Sequence, residues 1–176
     1  VNQAAHAYSL AQGIVHLQQA KILTPTNKAA LVDQAAHAND LAQGFVCLQE
    51  EKILTQDNFE TLVTAATIHR HTHDIARGIL HLKRARILTQ ANKAALVEQV
   101  RHADLLANGI EFLERVGILT QANFDALVSR AAHVFELPLG VERLQRAGIL
   151  TQENFDALVT QAAHAFQLAQ GFVCLQ

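Results

Sequence analysis

Residues 118–127 read Ile-Leu-Thr-Gln-Ala-Asn-Phe-Asp-Ala-Leu, and residues 149–158 repeat this stretch with one change. Its first three residues occur five times, at 22–24, 53–55, 87–89, 118–120 and 149–151. The spacing is 31 residues, except for one interval of 34. A fixed period of this length is typical of proteins whose repeats stack on one another. The sequence therefore predicts a single array over 1–176, with repeats 1–31, 32–62, 63–96, 97–127, 128–158 and a partial repeat 159–176.

Local signals divide each repeat into two helices, which we call helix A and helix B. Helix A is expected to begin after the threonine of Ile-Leu-Thr, whose hydroxyl can accept a hydrogen bond from an unpaired N–H group. The asparagine three residues later has the spacing of a capping box. Helix B carries apolar residues at i, i+4 and i+7, such as Leu41, Phe45 and Leu48. Either a glycine or a basic residue follows helix B: Lys21, Lys52, Arg86, Gly117 and Gly148. Glycine tolerates the left-handed backbone that ends many helices, and a basic residue complements the negative charge of the helix end.

Pro138 and three extra residues at about 67–69 favour a break between the two helices over one continuous helix. A helix pair of this size cannot bury its apolar face alone, so the repeats are expected to stack. Glycine recurs inside helix B at a cost of about 1 kcal/mol, which predicts the close approach of another backbone. The predicted fold is all-α, an α-solenoid (superhelix) of two-helix repeats of about 31 residues. Neither end carries an altered capping repeat, which predicts a fragment of a longer array.

The composition excludes several classes of protein. With 50% hydrophobic and 17% charged residues, the chain is too apolar to be disordered, and no apolar run is long enough to predict a membrane span. A net charge of −2 gives no general attraction to nucleic acid. No nucleophile elbow, phosphate-binding loop or acid–base pair is found, so neither an enzyme nor a cofactor is predicted. Cys47 and Cys174 are too far apart in the array for a disulfide, which favours a cytoplasmic location.

Two adjacent residues change from repeat to repeat just after a recurrent histidine, while their flanks stay nearly constant. These pairs are Tyr8-Ser9, Asn39-Asp40, His73-Asp74, Asp104-Leu105, Phe135-Glu136 and Phe166-Gln167. A constant framework with changing pairs is what a repeat scaffold needs to present different contacts along one ridge, and exposed aromatic residues are favoured contacts. Alternatively, neutral sequence change in an exposed loop would give the same variation. We predict that the pairs bind a ligand.

Histidine and charge patterns leave further alternatives open. Six histidines share one register and are expected at the end of helix A, where each would bond a free carbonyl: His6, His37, His71, His102, His133 and His164. His69, His71 and His73 could form a variable loop or offer nitrogen atoms to a metal, and no metal site is predicted. Residues 32–62 carry a net charge of −5 and residues 63–96 one of +5, which either neutralise each other or leave an anion site. The sixteenth position of the repeat also varies, and its side chains would face either the concave groove of the array or the buried contact between neighbouring repeats (the seam): His16, Cys47, His81, Phe112, Arg143 and Cys174.

The motif at 118–127 and 149–158 resembles the helical repeats of effector proteins from intracellular bacteria. That resemblance implies delivery into a host cytosol and binding to a host protein. Leu23-Thr24-Pro25 and the two variable residues also resemble the two-helix repeats of TAL-effector DNA-binding proteins. The chain lacks their glycine pair and the following Lys-Gln that meets phosphate, having His-Ala-Asn-Asp-Leu-Ala at 37–42 instead. We therefore expect a non-catalytic protein-binding scaffold; the alternative is a modular nucleic-acid-binding array.

Overall fold

The structure, a computed structural model, describes residues 2–131 and 136–175, with side chains from residue 6 onward. Over these residues it is all-helical, as predicted, and contains no β-strand. Eleven α-helices lie in the described ranges: α1 (Asn2–Gln19), α2 (Pro25–Asp33), α3 (Ala38–Glu50), α4 (Gln56–Ile68), α5 (Thr72–Arg84), α6 (Gln90–Glu98), α7 (Ala103–Arg115), α8 (Gln121–Ser129), α9 (Glu136–Arg146), α10 (Gln152–Thr160) and α11 (Ala165–Cys174). The odd-numbered helices are helix B of successive repeats, and the even-numbered helices are helix A.

Helix A and helix B are separate at 34–37, 69–71, 99–102 and 161–164, as the sequence predicts, but in the first repeat the predicted break at His6 is wrong, because α1 runs without interruption from Asn2 to Gln19. Short 3₁₀ turns join the two helices at Ala35–His37, Val100–His102 and Ala162–His164. The third repeat differs, because α4 has 13 residues where α2 has nine, and residues 69–71 lead into α5 in place of a 3₁₀ turn. The three extra residues thus lengthen helix A by about one turn and change the connection that follows it.

The turn that leads from helix B into helix A, which we call the Ile-Leu-Thr turn, has the same hydrogen bonds in each repeat. The threonine hydroxyl accepts the N–H of the asparagine three residues later at 3.1–3.3 Å, which confirms the predicted N-cap at Thr24, Thr55, Thr89, Thr120 and Thr151. The capping-box expectation is wrong in detail. The Nδ2 atom of Asn27, Asn58, Asn123 and Asn154 donates to the carbonyl of the isoleucine five residues earlier, at 2.7 Å.

Helix B ends in the same left-handed geometry in five repeats. The residue before each Ile-Leu-Thr has a positive φ of 58–77°, whether it is lysine, arginine or glycine: Lys21, Lys52, Arg86, Gly117 and Gly148. The following isoleucine N–H donates to the carbonyl five residues back, at 3.0 Å for Ile22 onto Leu17, which is the Schellman arrangement. The structure therefore places the three basic residues in the same strained backbone that the glycines adopt freely.

Amide pairs join successive Ile-Leu-Thr turns. Asn27 Nδ2 donates to Gln56 Oε1 at 2.6 Å, and Gln56 Nε2 returns a bond to Asn27 Oδ1 at 3.1 Å. Asn123 and Gln152 form the same reciprocal pair, at 3.2 and 2.9 Å. Asn27 and Asn123 are buried, so these bonds satisfy polar groups that water does not reach. The asparagine therefore stabilises its own turn and the next one together.

The chain divides into two compact units. The first comprises Val1–Leu80 with Leu88–Ala103, and the second His81–Ile87 with Asp104–Gln176. In the first compact unit α1 packs against α3 and α4 against α6, so that like helices of neighbouring repeats lie side by side. Phe45 and Phe59 meet in its core with ring centroids 5.6 Å apart. In the second compact unit α9 packs against α11. The predicted apolar stripe of helix B is buried in both, as at Leu41 and Ile110.

The glycines of helix B lie against the following repeat. A Cβ atom added to Gly140 would stand 2.8 Å from the carbonyl oxygen of Ala165, and one added to Gly44 would stand 3.4 Å from that of Thr72. These two positions confirm the predicted backbone approach. At Gly13 and Gly109 the nearest atoms are leucine side chains, so the prediction is wrong there. Nothing lies within 4 Å of a Cβ atom added to Gly171.

We expect Gly140→Ala to lower the free energy of unfolding by about 1–3 kcal/mol, because its methyl group would overlap the backbone of α11. Gly171→Ala is the matched control. Since its methyl group meets nothing, it is expected to raise stability by up to about 1 kcal/mol through helix propensity alone. Urea unfolding followed by circular dichroism measures both. Equal effects of the two substitutions would contradict the close approach at Gly140.

Candidate functional site

The predicted contact pairs at residues 39–40, 73–74, 104–105 and 166–167 lie near the connections between helix A and helix B, whereas Tyr8-Ser9 lies inside the continuous helix α1. We call the connections A–B junctions; the described ones cover 34–37, 69–71, 99–102 and 161–164. His37, His102 and His164 close the 3₁₀ turns, and each backbone N–H donates to the glutamine carbonyl three residues earlier at 2.8 Å. They directly precede helix B rather than end helix A, and the side chains of His37 and His164 do not cap helix B. The expected carbonyl bond from these two imidazoles is therefore wrong. His133 lies outside the described residues.

The first residues of the variable pairs differ in exposure. Tyr8 is 67% exposed on α1, and its hydroxyl accepts a hydrogen bond from Gln12 at 3.0 Å. Asn39 is exposed, whereas His73, Asp104 and Phe166 are half-buried. The guanidinium carbon of Arg143 stands 5.4 Å from the centroid of the Phe166 ring, within reach of a cation–π interaction. Phe135 lies outside the described residues.

The second residues of the pairs turn toward the protein in several repeats. Ser9 is buried on α1, and the carboxylates of Asp40 and Asp74 bind groups of the chain itself. Leu105 and Glu136 are half-buried, and Gln167 is exposed. The two residues of a pair therefore occupy different environments, which their adjacency in the sequence does not reveal. Whether the pairs contact a ligand stays a prediction.

Asp40 caps the helix B of the next repeat. Its Oδ2 atom accepts the backbone N–H of Thr72 at 2.6 Å, the Thr72 hydroxyl at 2.9 Å and the backbone N–H of His73 at 3.3 Å. Thr72 is the first residue of α5, so the carboxylate satisfies donors of the helix N-terminus and faces its positive end. The third repeat has lost the 3₁₀ turn that precedes helix B elsewhere, and a residue of the previous repeat supplies the cap.

Two rings of the histidine-rich segment 69–73 stack on each other. The rings of His69 and His71 are parallel within 3°, with centroids 4.7 Å apart. His71 Nδ1 lies 3.2 Å from Asp74 Oδ2, and Arg77 donates to the other oxygen of Asp74 at 3.3 Å. In the ranges that the structure describes, no three His, Cys, Asp or Glu side chains come close enough together to hold a metal ion.

Positive charges surround His69. Burial lowers the pKa of this imidazole below its ordinary value of 6.5. Electrostatic repulsion by four neighbouring basic side chains lowers the pKa further: His71, Arg70, Arg101 and His37. His37 of the junction before α3 lines a pocket with His69, and Arg101 of the junction before α7 acts on the imidazole electrostatically. The sequence analysis singled out residues 69–73 but missed Arg101, whose only signal was its place beside the recurrent His102.

Opposite charges of the second and third repeats meet at one place between helices A. Lys93 of α6 is buried and forms an ion pair with Asp57 of α4, and its ammonium group also donates to Asn58 Oδ1 at 3.3 Å. Bonds from Lys93 and Gln90 lower the pKa of Asp57. Lys93 stands where Phe59 and Phe124 fill the core in other repeats. This contact between α4 and α6 therefore neutralises part of the −5 and +5 charges, and whether the remaining charge binds an anion stays a prediction.

His81, the variable sixteenth residue of the third repeat, faces the seam between α5 and α7. This imidazole is buried, with Nδ1 3.3 Å from Glu114 Oε2 and Nε2 3.6 Å from Glu111 Oε2. Burial lowers the pKa of His81 below 6.5, although the two carboxylates act in the opposite direction. A neutral imidazole carries one N–H, which Nδ1 donates to Glu114.

Comparison of the chain with known protein families, with curated proteins and with solved structures gives no match. In the part of the chain that the structure covers, every helix is too short or too polar to cross a membrane.

We expect Asp40→Ala to lower the free energy of unfolding by about 1–2 kcal/mol, because α5 would lose its N-terminal cap. Asp40→Asn, which keeps an acceptor oxygen without the charge, is expected to lose less. Asn39→Ala removes the exposed neighbouring side chain and is the control, with an effect within about 0.5 kcal/mol. Chemical unfolding of the three variants measures this. An Asp40→Ala variant as stable as Asn39→Ala would contradict the cap.

The lowered pKa of His81 and His69 predicts that the protein loses stability on acidification. Their unfolded forms take up protons at a higher pH than the folded forms, so the free energy of unfolding falls as the pH drops through 6.5. One such group contributes a slope of at most about 1.4 kcal/mol per pH unit. We expect His81→Gln to reduce the slope between pH 7.5 and 5.5, as measured by urea unfolding, and His164→Gln, at an exposed position, to leave it unchanged. An unaltered slope in His81→Gln would contradict the assignment.

Proposed function

We propose that this chain is a non-catalytic protein-binding repeat scaffold. Its contacts are the exposed members of the variable pairs, which are Tyr8 on α1 and Asn39 on α3 in the first compact unit and Gln167 on α11 in the second. The stacking of like helices within each compact unit supports an α-solenoid, in which successive junctions would follow one another along a ridge. The resemblance to effector repeats supports a host protein as the partner and a host cytosol as the compartment.

A division of labour between constant and changing residues carries the proposal. The constant residues have internal roles: the threonine caps helix A, the asparagine pairs with the next turn, and the glycine admits the following helix. The changing first residues of the pairs include Tyr8, which is 67% exposed and holds only a neighbouring glutamine. An exposed tyrosine on a rigid helix is a favourable anchor for a protein partner because it loses little entropy on binding.

A modular nucleic-acid-binding array is the second candidate, and one observation favours it. Arg70 and Arg101 are exposed near three histidines at one junction, which gives a local positive charge. Neutralising a nucleic-acid backbone needs positive charge along the whole contact, however. The corresponding places in the junctions at 34–37 and 161–164 hold glutamine and alanine beside the histidine, and the net charge is −2. The protein-binding scaffold is therefore the better supported function.

The experiment compares two triple variants of equal size as bait for a cell extract. The test variant carries Tyr8→Ala, Asn39→Ala and Gln167→Ala, and the control carries Gln18→Ala, Lys28→Ala and Glu50→Ala at exposed positions away from the pairs. We expect the wild type and the control to capture the same proteins, and the test variant to lose at least one of them. The affinity for that protein, once purified, should fall about tenfold or more in the test variant.

Equal capture by all three baits would contradict the proposed contact surface. A photo-crosslinking residue at position 8 gives an independent readout, because it should form adducts with the captured protein where the same residue at position 18 does not. Binding to duplex DNA that falls steeply with salt, without any captured protein, would favour the second candidate.

A further inference from the structure

The A–B junction of the third repeat forms a pocket that the proposed scaffold function does not use. The pocket has a volume of about 310 Å³ and is lined by His37, Thr67, Ile68, His69 and Arg70, together with the buried Ala66. It owes its shape to the three extra residues, because these carry α4 on to Ile68 beside the shorter junction of the second repeat. The other repeats that the structure describes in full have nine-residue helices A and lack this extension.

Basic side chains are concentrated at this pocket, and the nearby carboxylates are engaged elsewhere. Asp40 binds the N-terminus of α5, and Asp74 binds His71 and Arg77. Of the carboxylates in the described ranges, none forms an ion pair or hydrogen bond with Arg70, Arg101, His37 or His69. The pocket is therefore a place of uncompensated positive charge, which favours an anion.

The donors at the pocket suit an oxyanion with several oxygen atoms. Arg70 is an exposed guanidinium at the rim and can donate two parallel hydrogen bonds. Nδ1 of His69 is buried with no hydrogen-bond partner among the described atoms, so this imidazole has a free hydrogen-bonding position beside the pocket that it lines. The positive groups that lower the pKa of His69 would be neutralised by a bound anion.

We propose that the pocket at the α4–α5 junction binds a phosphoryl group. Arg70 lines the pocket and supplies the charge, and His37 and His69, which also line it, supply further donors. A dianion gains more than a carboxylate from several converging positive charges. The pocket is much larger than a phosphate ion, and Ile68 at its rim is 55% exposed, so there is room for a small molecule or a side chain that carries the group.

A single phosphoryl group fits the site better than a nucleic-acid backbone. The positive cluster occurs at one junction, whereas backbone binding needs charges repeated along the contact. The pocket near the junction at 161–164 is lined by Arg130, His164 and neutral residues, so it has one imidazole where the pocket at the α4–α5 junction has two.

The test titrates the whole chain with inorganic phosphate while the histidine and backbone amide NMR signals are recorded. We expect saturable shifts at His69, Arg70 and His37, with a dissociation constant in the millimolar range. Arg70→Gln should weaken binding about tenfold, because it removes a charge-assisted interaction, and Arg101→Gln, at a position outside the pocket lining, should weaken it less. Lys28→Gln removes a positive charge from an exposed position at the far end of α2 and should leave binding unchanged. Circular dichroism confirms that these surface variants fold.

Two further ligands identify the source of the group. A phosphoserine peptide that binds more tightly than inorganic phosphate, and much more tightly than its unphosphorylated form, would support a phosphorylated side chain. Equal affinity for peptide and phosphate would support a free small molecule. Absence of saturable shifts with phosphate would overturn the proposal, as would equal weakening by Arg70→Gln and Lys28→Gln. Duplex DNA binding that all three charge variants weaken alike would replace it with diffuse nucleic-acid binding.

Discussion

A buried asparagine amide holds each Ile-Leu-Thr turn in place. Its Nδ2 atom donates to an isoleucine carbonyl at 2.7 Å, and in two described pairs it also exchanges bonds with the glutamine of the next turn. Since a buried amide without partners is costly, the glutamine of the next repeat stabilises the turns of Asn27 and Asn123 further, whereas Asn58 is bonded by Lys93 instead. The same interaction therefore fixes the turn, the start of helix A and the spacing between neighbouring repeats. Gly140 of helix B also helps to set the spacing between repeats, because the absence of a side chain lets the backbone at Ala165 of the next repeat pack close to it.

The third repeat shows what happens when this regular plan is altered. Its three extra residues continue helix A to Ile68 and replace the 3₁₀ turn, so α5 begins without the usual lead-in. Asp40 compensates by capping α5 from the preceding repeat. This use of Asp40 leaves the basic groups of the junction without that carboxylate, and the lengthened helix forms one wall of the pocket that His69 and Arg70 line. The structural repair and the candidate anion site therefore have the same cause.

Some charged residues of this chain take part in helix packing, and others lie on the surface. The pair of Lys93 with Asp57 lies between two helices A, at a position where phenylalanine packs in other repeats, and the lysine is buried. His81 with Glu114 has a similar place between helices B. The basic residues of the junction, by contrast, are exposed or half-buried and face the pocket. The sequence alone does not distinguish the charged residues that pack between helices from those that lie on the surface.

The sequence by itself determined the repeat, the two helices of each repeat, the threonine caps and the buried stripe of helix B. Those features depend on residues close together in the chain, where spacing and backbone preference suffice. It could not determine that Asn27 pairs with Gln56, that Ser9 is buried while Tyr8 is exposed, or that Arg101 and His37 act on the imidazole of His69. Only the tertiary structure decided these, because each depends on how one repeat is placed against the next. The direction of a side chain at a junction follows from the neighbour that it meets, and that neighbour lies about thirty residues away in the chain.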